Sequence, residues 1–233
     1  LDSMKIPHTG TIKNDADRQK NNVIILERNS IKIGILNYTY GTNGISIPPP
    51  SIVNLLDTVQ IKADLLQAKN MGLDKLIAFV HWGTEYELTP SINQRQLAQF
   101  FFQNGVDIIV GAHPHVIQKM EFNPSQDQVV AYSLGNFISN QRTRRSDGGA
   151  MFELVLTKTN QATKIFEVGY RLVWVNKPII NGKSKFELVL CKEQELSNFK
   201  NLDGTSKNAI KTFISDSRLL FNSENVNVKE IKR

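Results

Sequence analysis

The chain has 233 residues, enough to bury a sizeable core, and its 40% hydrophobic and 21% charged content excludes a disordered polymer. A net charge of +6 and a pI of about 9.3 favour acidic partners, but the charges are dispersed and no aromatic-interleaved basic stripe points to nucleic acid. The single cysteine, Cys191, excludes an intramolecular disulfide and a cysteine-built metal site, and no apolar run reaches the roughly 18–20 residues a membrane helix needs.

The opening, LDSMKIPHTG, has no initiator Met and no signal-peptide pattern. It reads as part of a longer protein, so membrane association is expected only through segments outside this chain. His8, in this loop, reads as an ordinary surface or core histidine. The stretch NNVIILERNSIKIGILNYTY then contains two apolar runs split by ERNS, which predicts a β-hairpin or two neighbouring strands. Glycine and proline dominate Gly41 to Ser51, a loop. Asp57 or Thr58 can cap a helix with apolar residues at Val59, Ile61, Ala63, Leu65, Leu66, Ala68 and Met71, stopped by Gly72. LIAFVHWG follows as a short strand whose run of apolar residues implies cover on both faces.

The order repeats once. Pro90 can open a helix with Leu97, Ala98 and Phe101 on one face and Gly105 as its stop, and VDIIVG is the next buried strand. From Gln128 the segments QVVAYSLGNF, GAMFELVLTK, KIFEVGYRLVWVN and SKFELVLC predict a second, mainly antiparallel sheet. A helix is expected over SKNAIKTFISDSRLLF, before a polar, frayed tail. The expected fold class is α/β (α+β), a layered body with two sheets flanked by helices, with residues 1–190 as the main domain and 191–233 as a C-terminal helical extension.

Two strand ends resemble one another. LIAFV runs into His81, and DIIV runs into Gly111, His113 and His115, where ligand sites of open α/β sheets gather. Pro114 restricts His113 toward an extended backbone, and imidazoles two residues apart can then serve one metal or a neighbouring pair, with His81 approaching from the adjacent strand. Gly111 allows a tight turn or a close approach to a ligand. Glu85 is the nearest carboxylate: a partner orienting an imidazole, a substrate contact, or a solvated loop residue. Asn136 either donates to a substrate oxygen or caps its strand as an Asx-turn. Arg142, Arg144 and Arg145 form the densest basic cluster, suited to phosphate or carboxylate recognition or to a solvated loop. Trp82 and Tyr86 either wall the cleft or pack.

The motifs His-Trp-Gly with Glu-Tyr, the Pro and Gln downstream, Gly-x-His-Pro-His-Val and Tyr-Ser-Leu-Gly-Asn-Phe, in this order between Leu76 and Gln141, resemble the bacterial CapA-type capsule synthesis family, which includes poly-gamma-glutamate biosynthesis proteins. That family is in turn similar to calcineurin-like metallophosphoesterases. The resemblance implies a layered α/β fold and a metal centre at strand ends. It makes His81, His113 and His115 metal ligands for one or two divalent ions, with Glu85 and Asn136 as further site residues. The Asp, Asp or Glu, and Asn-His ligand blocks of the metallophosphoesterase pattern are missing between Leu1 and Val80, so the resemblance implies an incomplete site here, inactive by itself. Two functions are expected from it: a metal-dependent hydrolase acting on a phosphoester or related polymer bond, or a non-catalytic envelope protein guiding an anionic capsule polymer with Arg142, Arg144 and Arg145, alongside capsule assembly proteins. Either implies a place at the cell envelope.

Overall fold

The computed structural model describes residues 1–160, 162–191 and 202–231. In chain order the elements are β1 (Thr11–Ile12), α1 (Asp15–Asn21), β2 (Ile24–Arg28), β3 (Ile31–Thr39), β4 (Ile52–Val53), α2 (Thr58–Lys69), β5 (Lys75–His81), α3 (Ile92–Gln103), β6 (Ile108–Ala112), β7 (Ile117–Asn123) and β8 (Gln128–Leu134). Then follow β9 (Gly148–Lys158), β10 (Thr163–Asn176), β11 (Ile179–Ile180), β12 (Lys183–Ser184), β13 (Glu187–Leu190), α4 (Gly204–Glu224) and β14 (Lys229–Glu230). Among the described residues no helix is long and apolar enough to cross a membrane.

The main sheet has six strands in the order β2-β3-β5-β6-β8-β7. Its four inner strands run parallel, and β2 and β7 close the two edges antiparallel. The β2–β3 hairpin turns through Asn29 and Ser30, both at positive φ, as a two-residue turn matched to strand twist requires. Helix α2 starts at Asp57, whose carboxylate accepts from the Val59 and Gln60 amides. Ile61, Leu65 and Ala68 face the sheet, while Val59 and Leu66 point to solvent. Helix α3 starts at Ile92, two residues past Pro90. Ser91 and Gln94 form a reciprocal capping box there, and Pro90 stands before the cap.

Along β6 and β8 the side chains alternate between two cores. Ile109, Val130 and Tyr132 pack under α2 and α3, and Ile108, Val110, Val129 and Ala131 pack on the opposite face against the second sheet and α4. Double cover is why these strands read as unbroken apolar runs. The second sheet is built on β10, with β9 along one side and β13 and β14 on the other.

Three expectations need correction. QVVAYSL, assigned to the second sheet, is β8 and joins the main sheet parallel to β6. Strand β7 was not foreseen, because IQKMEFN mixes buried and polar positions without clean alternation. The tail is not frayed through its length: Lys229 and Glu230 pair parallel with Gly169 and Tyr170. Of the proposed extension at 191–233, residues 192–201 and 232–233 lie outside the described residues. The described part contributes Ile210, Phe213, Phe221 and Val228 to the same core as β10.

Two devices fix the sheet. At its amino ends the buried Lys75 ammonium sits 2.8 Å from Asp107 and 2.7 Å from Asp127. Asp107 also accepts the Leu76 amide and Asp127 the Ile165 amide of the second sheet, both at 2.8 Å. Burial opposes the charge on Lys75, yet its bonds to the two carboxylates outweigh that and hold the ammonium above its ordinary value. Near the carboxyl ends, the Trp82 indole donates to the Tyr132 carbonyl at 2.9 Å through the space left by Gly111. A Cβ on Gly111 would collide with that carbonyl and stand 2.5 Å from the indole nitrogen.

Replacing Lys75→Met leaves two carboxylates without their buried partner and is expected to cost about 3–5 kcal/mol, read as a lower urea midpoint. Gly111→Ala is expected to cost at least about 1–3 kcal/mol by overpacking, checked by the same measurement. An unchanged midpoint in either variant contradicts the corresponding role.

Candidate functional site

The parallel register sets the cleft. Thr39, His81 and Ala112 stand side by side at the carboxyl ends of β3, β5 and β6. Beyond them the backbone stays tied, Tyr40 N–H donating to the His81 carbonyl at 2.9 Å and Trp82 N–H to the Ala112 carbonyl at 3.0 Å. His81 is therefore presented by a fully paired strand end.

His113 and His115 follow on a turn that departs from expectation. His113 has φ +102° rather than an extended backbone, and His115 has φ +60°. Side chains adopt such conformations at a cost of about 1–3 kcal/mol each, so surrounding bonds must hold them. They do: Tyr86 N–H donates to the Pro114 carbonyl at 2.8 Å, and the Ser133 hydroxyl donates to the Val116 carbonyl at 2.7 Å. Gly111 lies within β6 rather than in a tight turn, and it makes room for Trp82.

The three imidazoles divide into a pair and a single ring. His113 Nδ1 and His81 Nε2 are 3.1 Å apart, with ring centroids at 4.7 Å. The His115 ring is 6.2 Å from that of His113; its Nδ1 lies 3.0 Å from Asn136 Oδ1, and its Nε2 lies 3.6 Å from Glu85 Oε1. Burial lowers the pKa of His81, with the neighbouring rings of His113 and His115 adding to it. Burial also lowers that of His113, where the Glu85 carboxylate acts in the opposite direction and His115 reinforces the drop. Both rings of the pair are thereby biased to the neutral, electron-pair-donating form.

The fit to a metal can be judged from the pair. The 3.1 Å contact is itself a hydrogen bond between the two rings; two nitrogens each about 2.0–2.1 Å from one ion are about 2.8–3.4 Å apart at octahedral to tetrahedral angles, so the same separation also fits an ion. Among the described residues no group of three or more His, Cys, Asp or Glu side chains is arranged to hold an ion. The pair has the spacing of one edge of a coordination shell, and His115 stands apart from it.

The remaining expected residues are placed as follows. Glu85 is half-exposed on the loop after β5, beside His115. Asn136 is buried past the end of β8, and its Nδ2 donates to the Ser146 carbonyl at 2.7 Å and to Gln141 Oε1 at 2.9 Å. Arg142 donates to the Val175 and Ser139 carbonyls. Arg144 and Arg145 converge on Asp216 of α4, Arg144 with a two-pronged contact at 2.7 and 2.8 Å. Trp82 packs in the core, whereas Tyr86 stacks on His115 and is half-exposed.

Sequence reasoning missed Tyr40, which stacks on His81 at 5.8 Å and tilts over His113 at 4.5 Å. Tyr40 stands one residue past Thr39, the partner of His81 in the parallel register, and that placement is not legible without the strand pairing. Sequence reasoning also missed a buried amide chain under the Glu85 loop. Gln94 Nε2 donates to Gln118 Oε1, and Gln118 Nε2 donates to the Glu87 carbonyl, each at 2.8 Å. The Ser91-x-x-Gln94 spacing marked only the first of these.

Comparison with known proteins bears on the same stretch. The family described as bacterial capsule synthesis protein PGA_cap matches residues 1–141. The PGA biosynthesis protein CapA of Bacillus subtilis (strain 168) is 42% identical over 96 residues, which are 41% of this chain and 24% of that protein. The capsule biosynthesis protein CapA of Bacillus anthracis is 30% identical over 146 residues, 60% of this chain and 35% of that protein. The chain thus spans only about a quarter to a third of these relatives. Among solved structures, the Haemophilus influenzae NAD nucleotidase aligns with 93% of this chain and 41% of its own at 15% identity and a TM-score of 0.44. A Staphylococcus aureus chain described as a 5'-nucleotidase aligns with 89% of this chain and 36% of its own at 14% identity and a TM-score of 0.45. The fold assignment rests on the sheet order and register above, not on these partial likenesses. Because the matched stretch runs from Leu1 through the Gly-x-His-Pro-His and Leu-Gly-Asn-Phe segments that build the cleft, the chain belongs to the bacterial capsule synthesis protein PGA_cap family.

Proposed function

We propose that this cleft is the histidine side of a divalent-metal hydrolase site in a protein of poly-gamma-glutamate capsule biosynthesis, acting at the cell envelope on a phosphoester or related polymer bond. The observation that carries the reading is the 3.1 Å approach of His81 Nε2 and His113 Nδ1 at the carboxyl ends of parallel strands. The printed names of the two CapA relatives support the capsule process. His81 and His113 would hold an ion, and the oxygen ligands that complete such a centre would have to come from residues outside this cleft.

A bound divalent ion supplies Lewis acidity and lowers the pKa of a bound water toward neutrality. The chain's own residues do the rest. Burial keeps His81 and His113 neutral, so their lone pairs are available near pH 7. Tyr40 shields the pair from one side. Glu85, half in solvent, accepts a proton or a hydrogen bond at Oε1 from a hydroxyl or water entering beside His115.

The polymer-guiding alternative needs free arginine donors. Arg144 and Arg145 share the single carboxylate of Asp216, which offsets one of their charges, and Arg142 is turned to backbone carbonyls, so the cluster is less free for a polymer than its sequence suggests. Removing all three charges is accordingly expected to leave polyglutamate binding unchanged in a co-sedimentation assay; a clear loss of binding favours the guiding role.

Full-length protein purified without chelator is expected to carry stoichiometric divalent metal, with His113→Ala weakening affinity by about 100-fold and abolishing hydrolysis of a phosphodiester probe. Metal-free protein, or affinity indifferent to His113, sinks the reading. The pH dependence has a definite sign. The folded pKa values of His81 and His113 lie below the ordinary 6.5, so the unfolded chain binds more protons. Stability is then full above 6.5 and declines as pH falls toward the folded values. NMR titration is expected to place both midpoints below 6.5, and midpoints at or above it contradict the buried-pair geometry.

A further inference from the structure

The direction of each hydrogen bond around Asn136 is fixed by one atom that cannot donate. The Ser146 carbonyl lies 2.7 Å from the Asn136 side chain, so the nearer atom must be the Nδ2 amide. Flipping the side chain would set its oxygen against that carbonyl, two acceptors at contact distance in a buried place. The second Nδ2 hydrogen goes to Gln141 Oε1 at 2.9 Å. This fixes Gln141 in turn, and its Nε2 donates to the Tyr86 hydroxyl at 3.1 Å. Only Oδ1 of Asn136 remains, and it faces His115 Nδ1 at 3.0 Å. An amide oxygen only accepts, so His115 Nδ1 must carry the hydrogen.

We propose that Asn136 is a positioning residue that holds His115 as the Nδ1–H tautomer, so that the cleft meets the lone pair of Nε2 rather than an N–H. A free histidine side chain favours the Nε2–H tautomer, so the protein selects the less favoured form. The consequence is visible opposite the ring. Nε2 faces Glu85 Oε1 at 3.6 Å, and two electron-pair donors face one another across a gap suited to a cation or to a proton-bearing ligand. The positive φ of His115 belongs to the same device, since it sets the ring between Asn136 on one side and Glu85 on the other. The role is distinct from capping. Asn136 closes its strand with its backbone amide, which donates to the Gly148 carbonyl at 3.0 Å, and the side chain is left for His115.

The use of this lone pair rests on the metal-site reading above; the tautomer does not. The test is a long-range 1H–15N spectrum of metal-free protein with 15N-labelled histidine, recorded at about pH 8, where an ordinary histidine is neutral. His115, assigned through the loss of its signals in His115→Gln, is expected to show a protonated Nδ1 and an unprotonated Nε2. In Asn136→Ala the preference is expected to be lost, with the His81 and His113 resonances in place as the sign of an intact fold. A wild-type His115 protonated at Nε2 overturns the proposal, as does an Asn136→Ala variant that keeps the Nδ1–H form. If that variant does not fold, the wild-type spectrum alone decides. Titration with Mg²⁺ or Zn²⁺ separates the two readings. An Nδ1–H His115 in full-length protein that binds no metal sinks the hydrolase and leaves Asn136 its role; an Nε2–H His115 in a metal-binding protein does the reverse.

Discussion

The hydrogen bond from the Trp82 indole to the Tyr132 carbonyl is the constraint on which the cleft depends. Trp82 follows β5, the bond crosses over β6 at Gly111, and it ends on β8, so one side chain fixes three adjacent strands near their carboxyl ends. The indole is almost wholly buried, and an unbonded N–H there would leave a donor and a carbonyl unsatisfied at about 1–3 kcal/mol. Because Trp82 is the neighbour of His81, anything that moves the indole moves the histidine. Gly111 occupies its place for the same reason, two residues before His113.

On that base the strained turn is held rather than tolerated. His113 and His115 adopt backbone conformations that neither would choose alone, and bonds from three different segments, at Tyr86, Ser133 and Asn136, over-determine them. The loop bearing Glu85 and Tyr86 is held from beneath by the Gln94–Gln118 amide chain. Rigid support on both sides is what lets two imidazole nitrogens rest at 3.1 Å while the third ring points elsewhere.

What the sequence revealed and what it hid have physical reasons. The parallel strands and their helices were legible because each has cover on two faces or a capped amphipathic face, and the strand-end rule then placed His81, His113 and His115 together. Strand β7 was hidden because its edge position and the buried Gln118 break the expected alternation. The backbone of His113 was misjudged because the rule for a residue before proline is a local preference, and here tertiary bonds override it. The arginines look like a ligand surface in sequence, but their partner, Asp216, lies about seventy residues away on α4. Tyr40 and Gln118 needed the register, which composition does not contain.

The C-terminal strand shows how the two sheets become one body. Asn225 accepts the Met120 amide through its side chain, Val226 exchanges backbone bonds with Met120 and Phe122, and a few residues later β14 lies along β10. A single short segment thus stitches the edge of the main sheet to the spine of the second. The stitch closes over 105 positions of chain, so it adds loop-closure entropy that shorter-range contacts avoid. Residues 225–231 therefore act as a latch across a long sequence separation, and removing their bonds would free the edge strand of one sheet and the long strand of the other together.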